Sequence, residues 1–170
     1  MSILSQKDIL SLIEKKPPLI EQYLNLEQQM QTNGFDLSLR NISCFTTFGK
    51  VSMDNKNRQI AKRQVIEFEE DGYLHVKQGI YSITYNEILN LPRDIMALGL
   101  PRSSLLRSGA SIHTAVWDAG YSGRSESLLV VHNPLGLVLE KNARVLQLVF
   151  SYLSSISQGY QGTYQRENVS

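Results

Sequence analysis

Residues 111–132 read SIHTAVWDAGYSGRSESLLVVH: an apolar run rich in β-forming residues, a break that contains Gly120 and Gly123, and a second apolar run. Branched and aromatic residues on either side of a glycine-bearing break predict strands over 111–117 and 128–132 joined by a turn. The same grammar extends outward. Short strands are expected over 81–85 and 95–100 on one side and over 137–140 and 144–152 on the other, separated by Gly, Pro, Asn and Asp. Farther upstream, 65–68 and 73–77 flank Asp71-Gly72, which predicts a hairpin. So many short strands imply an all-β domain of jelly-roll or barrel type.

Two helices interrupt this pattern. Ser5 with Asp8 three residues later forms the signature of a capping box, Ile9, Leu10, Leu12 and Ile13 supply an apolar stripe, and Pro17 and Pro18 end it. Residues 101–109 (PRSSLLRSG) predict a helix of about two turns, with proline at its start and glycine past its end. The polar stretch 53–63 carries Lys56, Arg58, Lys62 and Arg63 and reads as a solvated loop without a function. Beyond Ile156 the chain turns to Ser, Gln, Gly and Tyr, so the tail is either disordered or ordered by something else.

A length of 170 residues suits one domain, and 42% hydrophobic with 19% charged residues is a globular composition. Seventeen basic against sixteen acidic side chains give no bulk basic field, which argues against a nucleic-acid or membrane-surface binder. An anionic partner must therefore be met by a local cluster. Cys44 is the only cysteine, so neither an internal disulfide nor a cysteine cage is available. With no secretion leader visible in MSILSQKDILSLIEKK and no long apolar run, the expectation is a cytoplasmic protein.

The local cluster has candidates. Arginines stand at 102, 107, 124 and 144, and the guanidinium fork suits phosphate oxygens. Arg102, Ser103, Ser104 and Arg107 fall at the start of the short helix, where free N–H groups favour an anion; a helix start with ordinary surface arginines is the competing reading. Asp118 sits where strand meets glycine turn and could take a proton from an attacking water, or simply hydrogen-bond its own turn. Tyr121 could stack on a sugar or pack against the sheet. His113 and His132 lack the spacing and the third ligand of a zinc site. No GxxxxGK[ST], GxGxxG or GxSxG string occurs, so any triphosphate is held by another scaffold.

In order, NGFDLSL at 33–39, PRSSLLRSG at 101–109, HTAVWDAGYSGRSESLLVVHNP at 113–134, NARVLQLVF at 142–150 and YQGTYQ at 160–165 resemble the dUTPase and dCTP deaminase superfamily, most closely its archaeal-type dUTPase branch. The resemblance implies a distorted jelly roll, or β-clip, that assembles as a homotrimer with sites shared between subunits. It implies a jelly roll, expected over 19–153, and a tail over 154–170 that closes on bound nucleotide; the helical extension over 1–18 lies outside the matched segments. The implied reaction is hydrolysis of dUTP to dUMP and pyrophosphate, with Mg2+ carried by the triphosphate and held by no protein cage.

The residue roles follow from the same resemblance. Asp118 matches the aspartate that orients and deprotonates water. Arg102, Ser103, Ser104 and Arg107 match the phosphate string, and Gln147 a glutamine of the phosphate and water network. Tyr121 matches the aromatic that packs on deoxyribose, and the backbone of His113, Thr114, Ala115, Val116 and Trp117 the strip that reads the pyrimidine edge. Tyr160, Tyr164 and Gln165 are the tail contacts, while Asp36, Arg124 and Glu126 are supporting residues. Deaminases of this superfamily place a catalytic glutamate where this chain has Leu128 or Val130, neither of which can move a proton. Glu126, two residues before Leu128 and on the same strand face, is the only candidate to replace it. Thr163 stands where deaminases often carry lysine. The alternatives to a dUTP diphosphatase are thus a dCTP deaminase or bifunctional enzyme, and a non-catalytic nucleotide-binding module.

Overall fold

The capping box forms as read. Ser5 caps α1 (Gln6–Ile13), with its hydroxyl accepting from the Asp8 amide and the Asp8 carboxylate accepting from the Ser5 amide. The computed structural model describes residues 2–169. After α1 come β1 (Ile20–Glu21), α2 (Leu26–Gln29), β2 (Met30–Gln31), β3 (Gly34–Phe45), β4 (Arg63–Ile66), β5 (Tyr73–Val76), β6 (Gly79–Tyr85), β7 (Ile88–Asn90) and β8 (Ile95–Pro101). The chain continues through α3 (Ser103–Arg107), β9 (Ala110–His113), β10 (Ser122–Gly123), β11 (Glu126–Val131), β12 (Leu137–Glu140) and β13 (Arg144–Tyr152).

All pairings are antiparallel, as an all-β jelly roll requires. The main sheet runs β8-β13-β3-β6-β11-β9, with β2 and β4 also on β3; β1-β7-β10 and β5-β12 form two smaller sheets. One apolar core unites them. Phe35, Leu37, Ile42, Ile83, Leu129, Leu148 and Phe150 are buried in it, and so are Leu4, Ile9 and Leu12 of the N-terminal segment. The Leu4 amide also donates to the Phe150 carbonyl at 3.0 Å.

Three local expectations need correction. The 65–77 hairpin does not form: a tight turn closes at 69–73, but β4 pairs with β3 and β5 pairs with β12. The strand expected over 111–117 ends at His113; the chain leaves its ladder with β11 and next pairs at Trp117, in an isolated bridge to Ala97 of β8. Pro101 does not open α3 but ends β8 opposite Leu146, and Arg102 is the residue before the helix. Gly109 does close that helix, at φ +76°.

The longest strand, β3, carries the polar residues that matter next. Its first six residues are buried on both faces, Asp36 and Ser38 included. Where β13 pairs with it, the register shifts between Arg144 and Leu146, a bulge that buries both Val145 and Leu146 beside a half-buried Arg144.

Candidate active site

Buried carboxylates set the frame. Asp36 is 1% exposed; its Oδ2 forms an ion pair with Arg102 Nε at 3.0 Å and accepts a hydrogen bond from Arg144 Nη1 at 3.3 Å, while Oδ1 has no hydrogen-bond partner. Burial holds the carboxyl's pKa above its ordinary value, an effect the two guanidiniums offset only in part. Behind it, Glu87 accepts from the Ser38 amide at 2.9 Å, the Ser38 hydroxyl at 2.6 Å and Gln29 Nε2 at 2.6 Å. Gln29 Nε2 also donates to the Asp36 carbonyl, tying the two carboxylate networks together. Arg102 and Ser103 open into a cavity of about 490 Å³ that Gln147 and Asn33 also line. Ser104 and Arg107 are exposed on α3.

Asp118 belongs to a different cavity. This one, about 570 Å³, is lined by Ala115, Val116, Trp117, Asp118, Tyr121 and Glu126, together with tail residues. Asp118 is exposed at its wall, and its carbonyl accepts from the Tyr121 amide at 3.0 Å. Ala115 and Val116 are exposed in the segment that has left the ladder, and Thr114 Oγ1 reaches the Gly99 carbonyl at 3.4 Å. His113 is exposed and pairs with Leu128. The arginine string and Asp118 therefore do not face each other within one chain, contrary to a single cluster in one subunit.

The tail is ordered by hydrogen bonds to the glycine turn. Tyr160 N donates to Ala119 O, Gln165 Nε2 to Gly120 O, and Arg166 N to Ser122 O, while the Gln165 side-chain carbonyl accepts from Ser122 N. Gly120, at φ +85°, permits this: a Cβ there would lie 2.7 Å from Gly159 Cα and 2.9 Å from Tyr160 N. Tyr121 is 5% exposed, its ring edge-on to Tyr160 at 5.8 Å and its hydroxyl donating to Glu167 Oε1 at 2.9 Å. Burial and the Glu167 charge push that phenol far above its ordinary range, so it remains a donor. Arg124, 3% exposed, donates to the Asn86 and Asn168 carbonyls and to Gln22, fastening turn, core and tail.

Glu126 lines the Asp118 cavity but is engaged: Arg63 forms an ion pair with it, and Asn168 Nδ2 donates to its Oε1 at 3.3 Å. Arg63, Glu167 and Asn168 line the same cavity and escape a sequence reading, because their partners lie 40 or more residues away. Glu87 escapes it too; only a lone acid between Asn86 and Ile88 marks it.

A family model described as dCTP deaminase-like matches residues 3–153. A probable deoxyuridine 5'-triphosphate nucleotidohydrolase of Methanococcoides burtonii is 45% identical, over 99% of this chain and 100% of its own. The Archaeoglobus fulgidus protein of the same description is 46% identical over 99% of each. The deoxyuridine 5'-triphosphate nucleotidohydrolase of Methanocaldococcus jannaschii is 32% identical over 82% of this chain and 88% of its own. Among solved structures, the 2'-deoxycytidine 5'-triphosphate deaminase of Agrobacterium tumefaciens shares the fold with a TM-score of 0.65 at 21% identity. That likeness covers 87% of this chain, which spans about half (48%) of the deaminase. Matched over most of its length by the family model and end to end by the first two of these relatives, the chain belongs to the dCTP deaminase-like family.

Proposed function

We propose that this protein is a dUTP diphosphatase working as a homotrimer. The observation that carries the reading is Asp118, exposed in a cavity next to a strip of backbone outside the ladder and next to Tyr121. Peptide groups at 114–116 can read a pyrimidine edge, Tyr121 can pack on the deoxyribose, and Asp118 can take the proton of a water. That water's oxygen bonds to the α-phosphorus, the bond from α-phosphorus to the bridging oxygen breaks, and pyrophosphate leaves with dUMP remaining.

The charge that develops on the leaving group needs cations, and the arginine string supplies them from the second cavity. Because the two cavities are separate in one chain, the reading has Arg102, Ser103, Ser104, Arg107 and Gln147 of one subunit meet Asp118 of another. Asp36, bound by two guanidiniums, is a poor ligand for a cation and acts by holding Arg102 and Arg144 in place. In this reading magnesium enters as part of the Mg–dUTP substrate. There it screens the phosphate charge. No helix among the described residues is long and apolar enough to cross a membrane.

Mixing two inactive variants tests the shared site. Asp118→Asn and Arg102→Ala, each inactive alone, regain part of the dUTP turnover when co-assembled if each site draws on two subunits. No recovery from a mixed assembly would refute that arrangement. Deamination of dCTP through Glu126 is the second reading, favoured only by Glu126 lining the same cavity. Its ion pair with Arg63 occupies the carboxylate that would have to move protons. Ammonia release from dCTP that Glu126→Gln abolishes would establish it.

A further inference from the structure

The arm between β3 and β4, which reads from sequence as a solvated loop, reaches the tail. Lys50 and Gln59 exchange backbone hydrogen bonds of 2.7 and 2.9 Å, an isolated β-bridge that closes the arm on itself. Next to that bridge, Arg58 meets the C-terminal segment. Arg58 Nη2 donates to Thr163 Oγ1 at 3.2 Å, and its Cζ lies 5.5 Å from the centroid of the Tyr164 ring. Both partners are more than 100 residues away in sequence. Ile60 of the arm, with Arg63 at the start of β4, lines the Asp118 cavity from this side, as Tyr160 and Tyr164 line it from the tail. The arm and the tail are therefore two walls of one cavity, and Arg58 is a bond between them.

We propose that Arg58 is a positioning residue that fastens the tail across the Asp118 cavity and so sets how tightly nucleotide is held there. A guanidinium suits the task because its planar fork can stack on the Tyr164 face while directing an N–H at Thr163. The lysine ammonium, a compact point charge, keeps the attraction to the ring and loses the fixed fork. The kinetic part of the proposal rests on the dUTP diphosphatase reading; the structural part does not.

The test compares wild type, Arg58→Ala and Arg58→Lys in two ways. Amide hydrogen exchange of nucleotide-free protein reports tail docking at Tyr160 and Arg166, whose N–H groups bond to Ala119 and Ser122. Losing one hydrogen bond and one exposed cation–π contact should speed that exchange about tenfold in Arg58→Ala, with Arg58→Lys between it and wild type. In steady-state dUTP hydrolysis, KM should rise by a similar factor while kcat stays within about twofold, since Arg58 does not touch the reacting atoms. The substitution Thr163→Val with Tyr164→Leu removes the same contacts from the tail side, and adding Arg58→Ala to it should change tail exchange no further. Unchanged tail exchange in Arg58→Ala, additive effects in the combined variant, or a fall in kcat at constant KM would each overturn the proposal. A wild type that leaves dUTP intact would defeat the diphosphatase reading alone, and the exchange comparison would still decide the role of Arg58.

Discussion

Replacing Asp36 by asparagine separates the charge of this residue from its shape. Both arginines bond to Oδ2, whereas Oδ1 is buried without a partner. An asparagine can therefore turn its carbonyl oxygen toward Arg102 and Arg144 and put its amide where Oδ1 was. Two ion pairs, one of them hydrogen-bonded, become guanidinium–amide contacts, a loss of about 1 kcal/mol each before screening. The arginine side chains are 31% exposed, so solvent reduces the sum of the two to about 1 kcal/mol, and relief from burying a carboxylate offsets part of it. Asp36→Asn should then lower the melting temperature by only about 2–4 °C, as expected for a chain of this size. The functional cost is larger. With the buried anion gone, Arg102 is held less firmly at its cavity, and under the proposed function KM for dUTP should rise roughly tenfold while the fold survives. Thermal unfolding and steady-state kinetics on the same preparation read both quantities. A variant with unchanged KM and kcat would show that Asp36 holds the strand and not the substrate-binding arginines.

Other outcomes follow from the same geometry. Gly120→Ala places a methyl group against Gly159 Cα at a positive φ, so the tail should detach from the turn and exchange its amides faster. Intact tail protection would refute the close approach. Burial raises the Glu87 carboxyl above its ordinary value, so the native chain binds this proton more tightly than the unfolded chain. Its contribution to stability is full below pH 4.5 and is lost as pH rises through the folded-state value. Glu87→Gln abolishes that titration, so its stability deficit against wild type, measured by denaturant unfolding across this range, should shrink as pH rises. A deficit that grows with pH would contradict the assignment.

What could be read from the sequence was local chemistry. The Ser5 capping box and the full extents of β12 and β13 appear in the structure as their patterns predict, because each depends on neighbouring residues. Strand β3 hides itself: Asp36 and Ser38 alternate with Phe35, Leu37 and Leu39, yet all are buried, so polarity gives no clue that both faces are covered. The 65–77 segment looks like a hairpin because the turn is real, but β5 finds β12 more than sixty positions away, a pairing no local pattern encodes. The tail is ordered by amide and carboxylate bonds to the glycine turn, an order that an apolar-content argument misses. At the candidate site, residue types single out Asp118, Tyr121 and the arginine string as candidates, but their division between two cavities emerges only from the fold.

Offering dUTP and dCTP separately with magnesium to wild type and to Asp118→Asn, while following pyrophosphate and ammonia, tests the central claim most directly. Pyrophosphate should appear from dUTP with wild type, fall by about 100-fold or more when the general base is removed, and be accompanied by no ammonia from dCTP. Absence of pyrophosphate with wild type, or undiminished release by Asp118→Asn, would contradict it.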